Sequence, residues 1–175
     1  MGELSARKHP RLSGHDYSSD GSYFITLCVK DMHELFGQVV VGRDAHSAPQ
    51  VQLSEYGAIV AKHIDKIKVQ FQSVSIDKYV IMPNHIHMII TVKRVEETSV
   101  GAEGRGAMWT SRPTGAVIPT LVRTFKTMIT KELGVSMWQR SYHDRIIRSE
   151  AEYWRVWRYI EENPGRWAED RYFVK

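Results

Sequence analysis

The sequence predicts an α+β fold: a ferredoxin-like split β-α-β sandwich with an antiparallel sheet, plus a C-terminal helix. Three observations carry this prediction. Strand-like and helix-like segments follow the order β-α-β-β-α-β once an extra hairpin is set aside. Residues 85–92 are apolar at nearly every position after His87, which indicates a strand buried on both faces at the sheet centre. Ser149 and Glu152 form a capping box that opens a final helix.

The first half of the chain supplies the opening strand and helix. Residues 1–21 are polar and are predicted to form an irregular arm. β-branched and aromatic residues predict a strand over 22–30, and 34–42 is expected to be its hairpin partner. Ser54 is the predicted N-cap of a helix within 53–71 that carries apolar residues on one face.

The second half repeats the pattern with two adjacent strands. Pro83 and Asn84 form a turn between them. Pro119 fits the first turn of the next helix, and Gly134 fits its C-terminal cap. The predicted elements are strands over 74–82 and 85–92, a helix over 119–134, a strand over 137–148, and a helix from Ser149 toward Asn163 that Pro164 and Gly165 stop.

A glycine-rich segment over 94–117 interrupts the pattern without a period of its own. Loops this long inside a compact domain are either functional or mobile, and both interpretations stand. We therefore expect one domain over 22–175 with a flexible insertion.

The composition of the chain indicates the cellular compartment in which the protein works and the kind of partner it binds. Hydrophobic residues at 42% and charged residues at 25% are ordinary values for a globular protein. Cys28 is the only cysteine, so no internal disulfide can form, and the sequence shows neither a signal peptide nor a membrane-spanning run. We expect a cytoplasmic protein. The net charge of +4 favours an anionic partner such as nucleic acid.

Two histidines, His85 and His87, stand one residue apart at the start of the central strand. Successive side chains of a strand alternate faces, so both imidazoles project the same way, about 7 Å apart along the strand. Such a pair can converge on one metal ion. Two ligands are too few to form a metal site by themselves. A pair of hydrogen-bonded histidines with a structural role accounts for the same spacing.

The final helix offers further candidates. Tyr159 is the only tyrosine of the C-terminal half with a potential oxygen ligand four residues later, Asn163. Residues i and i+4 share a helix face, so a phenol and an amide oxygen can be presented together. A tyrosine at the boundary of the core accounts for the same position on spacing alone.

Three segments together resemble a known family. "YFITLC…LFG", "YVIMPNHIHMII" and "WQRSYHDRIIRSEAEYWRVWRYIEENPGRW" are similar to REP-associated tyrosine transposases, which are single-tyrosine HUH transposases. The resemblance spans roughly residues 22–172. It implies a DNA-nicking domain in which His85 and His87 are metal ligands, Tyr159 is the catalytic residue, and Asn163 is a further polar ligand.

The resemblance also implies a chemistry. Tyr159 would attack a phosphodiester of single-stranded or hairpin DNA, leaving a 5′-phosphotyrosine and a free 3′-hydroxyl, and no nucleotide cofactor is needed. Imidazole ligands alone suggest zinc or a later transition metal, but amide and phosphate oxygens make Mg²⁺ or Mn²⁺ reasonable, and the resemblance favours these. Residues 144–153 lack the glycine hinge of domain-swapped relatives. We therefore expect Tyr159 to act on the histidines of its own chain, whether the protein is a monomer or a dimer.

DNA binding requires basic and stacking residues. The candidates for phosphate contact are Arg123, Lys126, Arg140 and Arg148, and Trp109 is a candidate for base stacking. A solvated basic surface explains each arginine or lysine equally well. Two other functions remain open: a hairpin-binding module without catalysis, and a metal-dependent phosphoesterase without a covalent intermediate.

Overall fold

The computed structural model describes residues 20–41, 48–93 and 117–174. Within these ranges it shows six strands, three α-helices and two short 3₁₀ helices. The strands are β1 Gly21–Cys28, β2 Gly37–Val40, β3 Gln50–Leu53, β4 Val74–Ile81, β5 His85–Val92 and β6 His143–Ile147. The α-helices are α1 Glu55–Gln70, α2 Val117–Leu133 and α3 Glu150–Glu162, and the 3₁₀ helices are Lys30–Met32 and Asn163–Glu169.

Four strands form one antiparallel sheet in the order β4-β5-β1-β6. Strands β4 and β5 are sequence neighbours joined by the turn at Pro83 and Asn84, whereas β1 inserts between β5 and β6. This is the order of a split β-α-β sheet, so the predicted α+β, ferredoxin-like class is confirmed. Strand β5 lies inside the sheet, and nearly all of its residues are buried, as its apolar run predicts.

The two faces of the sheet pack against different helices. Ile86, Met88 and Ile90 of β5 belong to the main core with residues of α1 and α2. Ile89 points the other way and packs with Val156 and Ile160 of α3 in a smaller cluster. His85 and His87 alternate with Ile86 and Met88, so they lie on the face that α3 covers.

The predicted helix ends agree with the structure. The Ser54 side chain accepts a hydrogen bond from the Gly57 amide at the start of α1. Ser149 accepts one from the Glu152 amide at the start of α3. Gly134 follows α2 in the left-handed region, with φ of 71°, where a glycine carries no steric penalty.

A polar network attaches α3 to the sheet. The Asp77 carboxylate accepts hydrogen bonds from the Tyr153 hydroxyl at 3.1 Å and from the Thr91 hydroxyl at 2.5 Å. The Lys78 ammonium pairs with Glu161 at 3.0 Å. Because one carboxylate is bonded to both strand and helix, the position of α3 over β4 and β5 is fixed by more than apolar packing.

Two predictions about the elements were wrong. Segment 34–42 does not pair with β1, because β5 and β6 occupy both edges of that strand; its central part, β2, pairs with β3 instead. The predicted strand over 137–148 is regular only in β6, and before it Trp138 forms one isolated bridge with Val29. Pro164 and Gly165 do stop α3 as predicted, since its last residue is Glu162.

The chain continues from α3 into the 3₁₀ helix Asn163–Glu169. Pro164 occupies its first turn, where a missing amide hydrogen breaks no helical hydrogen bond. Asn163 itself keeps helical dihedrals as the C-cap of α3. This continuation carries the C-terminal residues back toward the sheet.

Nearly all of the predicted arm and of the predicted insertion, Trp109 included, lies outside the described residues; Gly21 already belongs to β1 and Val117 to α2. The division into an arm and one domain stays a prediction. Among the residues that are described, no helix is long and apolar enough to cross a membrane.

Candidate active site

The histidine pair is buried on the α3 face of the sheet. His85 and His87 are each at most 1% exposed, and their Nε2 atoms lie 3.0 Å apart. The ring of His85 also packs against Tyr172, with centroids 4.6 Å apart, and against Trp167. Alternation along β5 therefore brings both imidazoles to one point, as the spacing predicts.

The proton on His85 is assigned by its neighbour. The Asn84 amide nitrogen donates to the backbone carbonyls of Met32 and Tyr172, so the Asn84 oxygen faces Nδ1 of His85 at 2.9 Å. An amide oxygen can only accept, so Nδ1 of His85 carries the proton and Nε2 keeps its lone pair. Nδ1 of His87 meets the Thr26 hydroxyl at 2.8 Å, which can donate or accept and therefore permits either tautomer.

This arrangement fits a divalent cation. Two adjacent ligands at about 2.1 Å in an octahedral shell lie about 3.0 Å apart, which is the separation of the two Nε2 atoms. Each histidine has a hydrogen-bond partner on Nδ1, the outer-shell arrangement that orients ligating imidazoles. Burial lowers the pKa of His85 to about 4 and lowers the pKa of His87 as well. Both rings are thus neutral at pH 7, as metal ligands must be.

A carboxylate from the C-terminal segment completes the group. Asp170 lies with His85 and His87 in a set whose ligand atoms are all within 4.8 Å of one another. Its Oδ2 atom also accepts a hydrogen bond from the Asn163 amide at 2.7 Å. The Asn163 oxygen is buried and has no hydrogen-bond partner among the described residues, so it is available as a ligand. The sequence analysis named Asn163 as a candidate ligand and did not name Asp170, which stands closer to both histidines in the chain's geometry than its sequence position indicates.

Tyr159 reaches the same point from α3. Its hydroxyl oxygen lies 3.2 Å from Nε2 of His87 and donates to Oδ2 of Asp170 at 3.1 Å. The side chain is 40% exposed, so a large substrate can approach it. Partial burial, followed by the nearby Asp170 charge, raises the pKa of Tyr159. The phenol is therefore protonated at neutral pH and has a hydrogen-bond acceptor in place.

Two clefts open beside Tyr159. One, of about 590 Å³, runs between β6 and α3 and reaches His87, Arg145 and Arg155. The other, of about 620 Å³, lies between α3 and the C-terminal segment. Tyr159, Arg155 and Arg171 line both. The arginines found along the two clefts are Arg145, Arg155, Arg158, Arg166 and Arg171.

The basic residues predicted for DNA contact lie elsewhere. Arg123 and Lys126 are on α2, which packs on the sheet face away from the histidines. The Lys126 ammonium donates to the backbone carbonyls of Gln139 and Ser141, so it is engaged within the protein. Arg140 and Arg148 are exposed before and after β6 and do not line either cleft.

Comparisons with known proteins place the chain among relatives. No family model matches it. It is 34% identical over 175 positions to an uncharacterized protein of Haemophilus influenzae, covering 96% of this chain and 93% of that protein. The solved structure of a REP-associated tyrosine transposase bound to a REP hairpin is similar, with a TM-score of 0.56 at 20% identity, covering 96% of this chain and 77% of that one. The chain has the fold of that transposase, and it belongs to the same family as the Haemophilus influenzae protein.

Proposed function

We propose that this protein is a transposase-like enzyme that cuts and rejoins single-stranded or hairpin DNA through Tyr159. The observation that carries the proposal is the position of the Tyr159 hydroxyl, 3.2 Å from one of two buried, convergent histidines and at the junction of two arginine-lined clefts. A nucleophile, a candidate metal site and anion-binding side chains thus meet at one point, as a phosphodiester transfer requires.

The reaction would exchange one phosphodiester for another. The phenol oxygen of Tyr159 attacks phosphorus, the bond to the 3′ oxygen breaks, and the DNA 5′ phosphate remains on the tyrosine. The phenolic proton leaves toward Asp170, which already accepts its hydrogen bond, and the departing 3′ oxygen takes up a proton from water. Attack by another 3′-hydroxyl reverses the step, so no nucleotide cofactor is consumed.

His85 and His87 would hold a divalent cation, Mg²⁺ or Mn²⁺, with Asn163 or Asp170 supplying an oxygen ligand. Such an ion, when bound, supplies charge stabilisation to the phosphate oxygens. The protein's own part is to keep both imidazoles neutral and oriented through Asn84 and Thr26. The oxygen ligands favour a hard cation over zinc.

The substrate proposal rests on the clefts. A strand cut at Tyr159 must continue on both sides of the scissile phosphate, and the two clefts supply a path on each side. Arginine side chains recognise phosphate by paired hydrogen bonds. The transposase of the same fold was solved on a REP hairpin, which supports hairpin DNA as the substrate class. Tyr159 meets the histidines of its own chain, which supports cleavage within one protomer.

A cleavage assay tests this proposal against its alternatives. An end-labelled DNA hairpin with single-stranded flanks is incubated with Mg²⁺, with Mn²⁺ or with EDTA, and the products are separated on a denaturing gel. We expect metal-dependent nicking together with a slow-migrating band of DNA bound covalently to protein. Binding without nicking would identify a hairpin-binding module, and nicking without the covalent band would identify a phosphoesterase.

A further inference from the structure

We propose that the solvent face of α3 carries a base-stacking platform, formed by Trp154 and Trp157, for the unpaired strand that leaves the active site. This inference rests on the proposed function and extends it to a surface outside the two clefts. Its ligand is one or two unpaired nucleotides of single-stranded DNA.

The platform is an exposed aromatic cluster. Trp154 is 53% exposed, although large aromatic side chains are usually mostly buried. Its ring centroid lies 5.7 Å from that of Trp157 and 5.5 Å from that of Tyr153. Tyr153 anchors the cluster, because its hydroxyl is bonded to Asp77 on the sheet. The rings are therefore held in place before any ligand arrives.

The orientation of the outer tryptophan is also fixed. The Trp154 indole N–H donates to Glu150 at 3.3 Å, one turn earlier on α3. On the other side of the cluster, the Lys78 ammonium lies 5.0 Å over the ring of Trp157 and pairs with Glu161. The N–H of Trp154 is thus engaged, so the exposed part of Trp154 is apolar ring surface, and the ring of Trp157 is flanked by a cation.

Helix geometry joins this cluster to the active site. Successive residues turn by about 100°, so Arg158 lies about 40° around α3 from Trp154, Arg155 about 100°, and Tyr159 about 140°. Along the axis Trp154 and Tyr159 are roughly 7.5 Å apart. Both arginines fall between the tryptophan and the tyrosine, and both line clefts that reach Tyr159. Arg158 and Arg155 therefore lie around α3 between the aromatic rings and the nucleophile, and Glu162, which also lines a cleft, pairs with Arg166.

The arrangement of aromatic and basic side chains on α3 favours single-stranded DNA as the ligand. Single-stranded DNA presents phosphates and unpaired bases together, and proteins that bind it combine basic tracks with aromatic surfaces. On α3 the aliphatic residues Val156 and Ile160 are buried, so the exposed apolar surface is aromatic. A planar base can stack on it while its phosphate reaches Arg158. The two arginines between the platform and Tyr159, which also line the clefts, favour DNA over a protein partner.

The test compares two DNA hairpins that differ only in whether the nucleotides of their single-stranded flanks carry bases. Both carry single-stranded flanks at each end, one with thymines and one with abasic nucleotides, and binding is measured by fluorescence anisotropy with the full-length protein. Wild type is expected to bind the abasic hairpin roughly 10-fold more weakly, within the range that one stacked base gives. Trp154→Leu is expected to lose that difference, and Trp154→Phe to retain most of it. Val69→Ala, an exposed apolar residue on α1, is the matched control.

The outcomes separate this inference from the proposed function. If wild type binds and nicks the thymine hairpin but does not distinguish it from the abasic one, the platform is refuted and the proposed function stands. If wild type binds neither hairpin, the proposed function fails as well. If Trp154→Leu leaves DNA binding intact but changes the sedimentation of the protein, the face is a protein interface and the inference is overturned.

Discussion

The two faces of the central sheet receive different kinds of side chain from the same strands. On the face under α1 and α2, Ile86, Met88 and Ile90 of β5 join a continuous apolar core. On the face under α3, the alternating positions hold His85 and His87, and the covering helix leaves Tyr159 partly exposed. One face forms the apolar core and the other holds the candidate active site, and a shift of β5 by one residue would exchange them.

The faces also differ in the chemistry of their buried polar groups. On the α3 face, the Nε2 atoms of His85 and His87 lie 3.0 Å apart, and the Asn163 oxygen has no hydrogen-bond partner among the described residues. The group of potential metal ligands that the described residues form, His85, His87 and Asp170, lies on this face. The comparison therefore predicts that substitutions on the two faces separate stability from activity.

The largest effect is expected from Tyr159→Phe. Removing the nucleophilic oxygen should lower the rate of DNA cleavage by about a thousandfold or more, because no other group on α3 is placed to replace it. The matched control is Tyr79→Phe, the same chemical change on β4, where the ring packs against the main core and lines neither cleft. Cleavage by this variant should stay within a few-fold of wild type. Equal losses of cleavage in both variants would contradict the assignment.

Two adjacent residues of β5, which point to opposite faces of the sheet, test the difference between those faces. Ile86→Ala should lower the free energy of unfolding by about 2–5 kcal/mol, since it opens a cavity in the main core. His87→Ala should cost less stability but abolish metal-dependent cleavage. Denaturant titration gives the first quantity and the nicking assay the second. If His87→Ala cleaves as wild type does, the proposed role of the histidine pair in metal binding is wrong.

Acid should lower the free energy of unfolding of the protein through protonation of His85. The pKa of His85 is lowered to about 4 in the folded protein, below its usual 6.5, so between these values the unfolded chain binds more protons. The free energy of unfolding should therefore be unaffected by this group above pH 6.5 and fall by about 2–3 kcal/mol as the pH drops toward 4. Urea denaturation in EDTA at several pH values measures the slope. His85→Asn should make the slope shallower without removing it, because burial lowers the pKa of His87 as well, and an unchanged slope would contradict the assignment.

The smallest effect concerns DNA affinity. Arg155 lines both clefts, so Arg155→Ala should weaken binding of a flanked hairpin by several-fold and reduce the salt dependence of binding by about one phosphate contact. Arg123→Ala, on α2, removes the same charge from the other face. Anisotropy titrations at several salt concentrations compare the two. A larger loss for Arg123 would favour the α2 surface that the sequence suggested.

Most of the α3 face could be predicted from local patterns. The period of two in a strand placed His85 and His87 on one side, and the capping box at Ser149 placed the helix that carries Tyr159. Asp170 could not be found this way, because it follows an irregular segment in which no periodicity indicates where a side chain points. Its place depends on the 3₁₀ helix after Asn163, which turns the chain back to the histidines.

The basic surface was hard to predict for a related reason. Arginines are spread over α2, β6, α3 and the C-terminal segment, and charge alone does not show which of them lie beside Tyr159. That depends on which sheet face each helix covers. The apolar stripe of α2 made Arg123 solvent-facing, but it could not show that α2 packs on the face away from the histidines.

The most direct test of the central claim is the mass of the protein after reaction with DNA. The wild-type chain is incubated with a flanked hairpin and Mn²⁺, quenched, digested with nuclease and protease, and measured by mass spectrometry. The account predicts a nucleotide adduct on the peptide that contains Tyr159 and on no other tyrosine peptide. DNA cleavage without an adduct, or an adduct on another residue, would contradict it.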